Sequence, residues 1–187
     1  STKGPHSPSE CGQFWYRWLP RDHHFIDYDE IASKMVEEIR REITAVFNYF
    51  DKPLVFKNLN AGMRLRLIAQ AFPEAKIMFI RRDPRFVIQS ILNGRKKVIA
   101  QDGKIWGILP PNYAEIAKLT ETEMCCAQVF YIEKQIMTDL CLLYEHNVKM
   151  IYFQELSSYI IDDLAKWISH FKKKCGSIPE FKKDKLE

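Results

Sequence analysis

The chain has no Cys-x-x-Cys pair and no His/Cys cluster at zinc-ligand spacing. Its five cysteines, Cys11, Cys125, Cys126, Cys141 and Cys175, are odd in number and form no framework. That argues against a disulfide scaffold and predicts reduced, mostly packed thiols. No metal is expected. No run approaches the roughly 18 consecutive apolar residues that cross a bilayer. The polar start, Ser1 to Glu10, carries no secretory signal, so the expected compartment is cytoplasmic. A strong charge of one sign is also missing. The balance of 28 basic and 24 acidic residues leaves +4, too mild to argue for a nucleic-acid partner. It suits a pocket for a small, highly anionic ligand. There is no internal repeat, no low-complexity tract and no dividing linker. The 187 residues are expected to form one domain, 1–187.

What is present is an apolar content of 47% and an uneven distribution of charge. Arg81, Arg82, Arg85, Arg95, Lys96 and Lys97 crowd one region, and Lys172 to Lys174 another. A run of this kind is often only a solvated face. Residues 1–27 read as an irregular arm holding a dense aromatic patch: Phe14, Trp15, Tyr16 and Trp18. The patch is expected to pack, with flooring of an acceptor pocket as the alternative.

From about Asp29 to Phe50, Ile31, Met35, Ile39, Ile43 and Phe47 recur every four residues, which predicts an amphipathic helix capped by Asp29. Leu54 to Lys57 reads as a short buried strand, and residues from about Asn60 to Phe72 as a second helix. Lys76 to Ile80 (KIMFI) has the continuous apolar run of a parallel strand. A third helix starts at Pro84 behind the cap Asp83, with Gly94 as its natural end and a polar loop over 95–113. Thr120 and Glu123 form a capping-box pattern that opens a long helix to about Glu145. Val148 to Phe153 is a third strand, and a last helix runs from about Ser158 to Lys174. Helices alternating with strands predict an α/β fold, a parallel sheet flanked by helices.

Ligands of open parallel sheets bind beyond the carboxyl ends of the strands. Lys57 closes the first expected strand, and Arg81 and Arg82 close the second. Asp83 occupies the first N–H groups of the helix that follows, so an anion would be held from the side of the helix. Ser90 lies seven residues after Asp83, about two helical turns, on the same face as the strand-to-helix corner. An arginine fork and a hydroxyl converging there suit a phosphate dianion. The plainer alternative pairs Arg82 with a carboxylate and leaves Ser90 as a packing residue.

The wider pattern, Lys57-Asn58 … Phe72-Pro73-Glu74-Ala75-Lys76-Ile77 … Arg82-Asp83-Pro84 … Ser90, resembles the sulfotransferases that use 3′-phosphoadenosine 5′-phosphosulfate (PAPS). That family has a Lys after an early strand, a strand of the form F-P-x-A-K-F-I leading into Arg-x-Pro, and a Ser eight residues after the Arg. The likeness covers about residues 53–93 well and 120–172 loosely, where Ile151 to Leu156 resembles the family's last strand. It implies a P-loop-NTPase-like sulfotransferase fold. It also implies that Arg82 and Ser90 hold the cofactor's 3′-phosphate and that Lys57 lies near the transferred sulfonate. The chain departs from the family in two short stretches. Asn58-Leu59-Asn60 stands where the family has Thr-Pro or Ser-Pro, and Phe153-Gln154-Glu155-Leu156 where it has Y-E-D-L. The family's opening strand and Gly-rich 5′-phosphosulfate loop have no counterpart before Ser1-Thr2-Lys3-Gly4, so the domain is expected to be truncated at its N-terminus.

By this resemblance the reaction moves a sulfonyl group from PAPS to an acceptor hydroxyl or amine. The acceptor would be a small molecule or carbohydrate, and no metal would take part. Lys57 would stabilise charge on the leaving phosphate. A base would take the acceptor's proton. Glu10 is the first choice, with His6, His23 and His24 as alternatives in the same arm. Three rival readings stay open. One is an inactive remnant that only binds a 3′-phosphorylated adenine nucleotide. Another is a P-loop small-molecule kinase, although Gly-x-x-x-x-Gly-Lys-Ser/Thr is absent. The last is a protein-interaction module built on the long helix.

Overall fold

The computed structural model describes residues 12–50, 54–102 and 106–169. Its elements in chain order are the helical turn α1 (Gly12–Trp15), α2 (Ser33–Phe50), α3 (Leu65–Ala71), β1 (Ile77–Arg81), α4 (Pro84–Asp102), α5 (Tyr113–Ile116), α6 (Glu121–Leu140), β2 (Val148–Tyr152) and α7 (Ser158–Ser169). The class is mixed α/β: a two-stranded parallel sheet with helices packed around it. β1 and β2 pair in register from Ile77 opposite Val148 to Arg81 opposite Tyr152. Their carboxyl ends therefore lie side by side, and the residues after them, Arg82 and Phe153, meet at one edge of the sheet.

Three apolar clusters hold the elements together. The first joins Met63 and Leu65 to Ile136, Leu140 and Leu143, with β1 and β2 contributing Ile77, Phe79 and Val148. The second is the expected stripe of α2. Met35, Ile39 and Ile43 pack on Leu19, Ile26 and Leu67, together with Trp15 and Trp18 from the aromatic patch. Ile39 is 1% exposed, and burying such a side chain contributes about 1.5–3 kcal/mol before its entropy cost. The third seats Ile88, Ile91 and Leu92 of α4 on Met124 and Cys125 of α6. These contacts place one face of α4 inward and leave the face carrying Gln89, Ser90 and Asn93 exposed.

The aromatic patch is packing, as expected. Trp15 lies edge-on to Phe56 at 5.5 Å, and the indole N–H of Trp18 donates to Glu38 at 3.2 Å. The capping box also forms, with Glu123 accepting from the Thr120 N–H at 3.1 Å and from its O–H at 2.5 Å.

Several boundaries differ from expectation. Leu54 to Lys57 is not a buried strand but coil. Val55 is 82% exposed and Phe56 packs sideways on Trp15, so no neighbouring strand takes up their backbone groups. The first helix begins at Ser33 rather than Asp29. Asp27, not Asp29, caps the preceding 3-10 turn Tyr28–Glu30, accepting from the Tyr28 N–H at 2.6 Å. The second helix splits into the 3-10 turn Leu59–Met63 and α3. Gly94 does not end α4, which continues to Asp102. Gly94 is instead a buried mid-helix contact, a use of glycine for close approach rather than for termination. α6 ends at Leu140 rather than near Glu145. Of the thiols, Cys125 is buried but Cys126 and Cys141 are exposed, because neither sits on the packed side of its segment. Cys11, Cys175, Lys172 to Lys174 and the end of the last helix lie outside the described residues. Among the described residues no helix is long and apolar enough to cross a membrane.

Candidate functional site

The corner between β1 and α4 brings three arginines within five residues, and the fold treats each differently. Arg81 points back across the sheet, donating from Nε to Glu133 of α6 at 2.6 Å and from Nη1 to the Tyr152 hydroxyl at 3.1 Å. Its Glu133 partner raises its pKa above the ordinary arginine value. Arg85 folds onto Asp83, with Nη2 to Oδ2 at 2.6 Å. Asp83 also accepts from the Arg85 backbone N–H at 2.9 Å, so it caps α4 as its sequence position predicts. The Arg85 fork is the main cause that lowers the Asp83 carboxyl to about 2.

Arg82 makes no ion pair among the described residues. Its guanidinium lies 5.5 Å from the Phe86 ring centre and 5.2 Å from that of Phe153, a pair of aromatic contacts that take up none of its N–H donors in a conventional hydrogen bond. The plainer alternative, in which Arg82 pairs with a carboxylate, is therefore not what forms.

Arg82 and Ser90 line one open cavity of about 450 Å³, together with Phe86, Gln89, Asn93, Gly94, Lys97 and Trp106. The two residues that spacing placed on one face line the same cavity. The cavity's donors include an arginine, a lysine, a hydroxyl and two amides, and among the described residues no carboxylate lines it. That donor set is complementary to an anion. Phe86 and Trp106 add flat apolar surface.

Trp106 owes its position to two glycines. A Cβ at Gly94 would stand 2.2 Å from the indole Nε1 and 2.4 Å from Cε2. The indole thus lies directly on the α4 backbone. Gly107 has φ +92°, a left-handed conformation that other residues adopt only with strain. It turns the chain so that the Trp106 and Ile108 carbonyls both accept from Gln128 Nε2, at 3.4 and 2.7 Å. Gln128 is 1% exposed, so this clamp is buried.

The other expected site residues fare differently. Lys57 sits on exposed coil before the Leu59–Met63 turn and does not line the cavity. Glu10 and His6 lie outside the described residues. His23 is held by carboxylates, with Nε2 2.7 Å from Glu30 and Nδ1 3.1 Å from Asp22; the Glu30 contact is the main cause that raises its pKa. His24 is half-buried, and its Nδ1 accepts the Leu109 N–H at 2.9 Å. Burial first, and then the Arg64 charge, lower its pKa. Its free nitrogen, Nε2, consequently carries the proton, which makes His24 a donor rather than a base.

Sequence reasoning did not single out Gln89, Asn93, Lys97 or Trp106 as site residues. The first three follow Phe86 at steps of three or four along α4, a helical stripe that the sequence does contain. Trp106 had no such signal, because only tertiary packing places it on Gly94. Among the described residues no group of His, Cys, Asp and Glu could hold a metal ion. Comparison with protein-family models, with curated proteins and with solved structures finds nothing that matches this chain.

Proposed function

We propose that this chain is the greater part of a PAPS-dependent sulfotransferase domain of P-loop-like fold, and that the α4 cavity takes the 3′-phosphorylated end of the nucleotide. The observation that carries the reading is the state of Arg82. It is the arginine of the β1–α4 corner without a carboxylate, and it opens into the same cavity as Ser90 and Lys97. A dianion held there would receive the guanidinium fork, the hydroxyl and the ammonium. Phe86 and Trp106 offer the flat surface on which an adenine would pack.

The reaction would be in-line. The bond from sulfur to the bridging phosphate oxygen breaks and a bond from sulfur to the acceptor oxygen or nitrogen forms. The acceptor's proton passes to a base, and adenosine 3′,5′-bisphosphate departs. Lys57 is assigned to the leaving oxygen and Glu10 to the proton. Both assignments rest on the resemblance and on chain position.

Titration with adenosine 3′,5′-bisphosphate, and in parallel with adenosine 5′-phosphate, tests the reading. The bisphosphate is expected to bind more tightly. Arg82→Ala and Ser90→Ala should each weaken it, Arg82→Ala by about 10- to 150-fold if a charged hydrogen bond of roughly 1.5–3 kcal/mol is lost. Equal binding of both nucleotides, or wild-type affinity in Arg82→Ala, would overturn the assignment. Bisphosphate binding without sulfonyl transfer to any acceptor would identify the chain as a binding-only relative of the fold.

A further inference from the structure

Arg64, between the Leu59–Met63 turn and α3, is 4% exposed, yet its Nε and Nη2 have no hydrogen-bond partner. A guanidinium does not lose its proton in a protein, so this is a fixed charge held away from water. A buried charge is tolerated only when something pairs with it.

Asp22, Asp27 and Glu30, in the segment bonded to Met63 through Ile26, and Asp139 of α6 are engaged elsewhere. Asp27 and Asp139 both bind Arg66, and Asp22 and Glu30 both bind His23. Two further donors belong to residues close to Arg64. The Tyr16 ring centre is 5.8 Å from the guanidinium carbon. The Tyr16 oxygen accepts from Asn60 Nδ2 at 3.3 Å, which leaves its O–H free to donate. A backbone bond from the Ile26 N–H to the Met63 carbonyl, at 3.1 Å, runs the His24–Ile26 segment alongside Arg64. His24 accepts through Nδ1 and so presents Nε2–H. The charge of Arg64 in turn helps to hold His24 neutral.

We infer that Arg64, His24 and Tyr16 form an oxyanion-binding subsite, separate from the Arg82 cavity, that takes a sulfate, phosphate or carboxylate group. Four hydrogen-bond donors, two of them on one edge of the guanidinium, lie in this neighbourhood, and among the described residues no acceptor is bonded to Arg64 Nε or Nη2. The subsite is tied to both neighbouring functional segments. Tyr16 holds Asn60, three residues beyond Lys57, and His24 holds Leu109, three residues beyond Trp106. The inference does not depend on what the Arg82 cavity binds.

Its test uses the whole chain carrying Arg82→Ala, so that the first cavity does not report. Inorganic sulfate is titrated in one arm and acetate in the other, with melting temperature and the arginine ¹⁵Nε–H resonances as readouts. The Arg64 resonance is assigned by its loss in Arg64→Lys. At least one anion should shift that resonance saturably and raise the melting temperature, with sulfate marking a tetrahedral group and acetate a carboxylate. Arg64→Met should bind that anion at least tenfold more weakly. In anion-free buffer it should melt no lower than its parent, since it removes an uncompensated charge. An unmoved Arg64 resonance in both arms overturns the inference. So does a clear fall in the Arg64→Met melting temperature, which would mean that a carboxylate of the protein already pairs with the guanidinium. If Arg64→Met does not fold, that outcome also counts against the subsite.

Discussion

Replacing Gly94 by alanine adds a single methyl group about three helical turns along α4 from Arg82, against Trp106, so it tests the aromatic wall of the cavity without touching its charges. The new Cβ would lie 2.2 Å from Trp106 Nε1, where ordinary contact begins near 3.4 Å, so the indole must retreat by roughly 1 Å or more. Trp106 is 43% exposed, which makes outward movement its easiest escape. Two stability effects then oppose each other. Crowding costs about 1–3 kcal/mol where the neighbour cannot give. Replacing a mid-helix glycine by alanine contributes up to about 1 kcal/mol in the other direction. The net change should stay within about 2 kcal/mol, and the protein should remain folded. Ligand binding should suffer more. A base stacked on an aromatic ring contributes about 1–3 kcal/mol, so Gly94→Ala should weaken adenosine 3′,5′-bisphosphate by about 5- to 150-fold. Calorimetric titration measures this, with Trp106→Ala as the reference for complete loss of the wall and circular dichroism as the check on α4. Inorganic phosphate, which needs only the charged end of the cavity, should bind Gly94→Ala as it binds the wild type. Wild-type nucleotide affinity in both Gly94→Ala and Trp106→Ala would refute the assignment of Trp106 to the ligand.

Further outcomes follow from the same geometry. Asp139 is 1% exposed and accepts from Arg66 Nε at 3.1 Å and Gln135 Nε2 at 2.9 Å, so Asp139→Ala should destabilise by about 3–5 kcal/mol in urea unfolding; a loss under 1 kcal/mol would show that the pair is dispensable. His24 titrates below the ordinary histidine value of 6.5 in the folded state, so the unfolded chain takes up its proton first as pH falls. Its contribution is complete above about 6.5 and is lost as pH drops through the lower folded value. The neighbouring His23 has the opposite sign: its pKa is raised, and its contribution is present below 6.5 and lost as pH rises through the folded value. The urea midpoint between pH 5 and 7 should therefore fall less steeply on acidification in His24→Gln, and more steeply in His23→Gln; unchanged slopes would contradict the burial of His24 beside Arg64. Lys97→Met should weaken the bisphosphate severalfold and reduce the salt dependence of binding while leaving the unfolding midpoint nearly unchanged, because its side chain is exposed at the cavity rim.

Much of the fold was legible because it depends on local pattern. The stripe Met35, Ile39 and Ile43 has the period of a helix, and it buries as one. Ile77 to Arg81, one residue beyond the expected Lys76 to Ile80, and Val148 to Tyr152 pair as parallel strands, as their continuous apolar runs predict, although Ile80 and Met150 stay exposed. Asp83 and Thr120 cap their helices because short-range hydrogen bonding is written in residue type. Leu54 to Lys57 misled for the opposite reason. Three apolar residues followed by a lysine are compatible with a strand, but a strand exists only where a neighbour takes up its backbone groups. Gly94 misled in a similar way. A glycine after an apolar helix reads as a stop, and only the indole resting on it reveals a close approach.

The sequence by itself determined the amphipathic helices, two of the three expected strands, the capped start of α4 and the spacing that puts Arg82 and Ser90 on one face, all consequences of periodicity and local bonding. Tertiary structure alone decided which arginine is available. Arg81, Arg82 and Arg85 are chemically alike and nearly adjacent, yet Glu133 and Asp83 engage the outer two and leave Arg82 open to the cavity. It also decided that Trp106 walls that cavity and that Arg64 is buried with its Nε and Nη2 lacking a hydrogen-bond partner. Charge pairing and burial depend on distances between segments far apart in the chain, and residue spacing does not encode those distances.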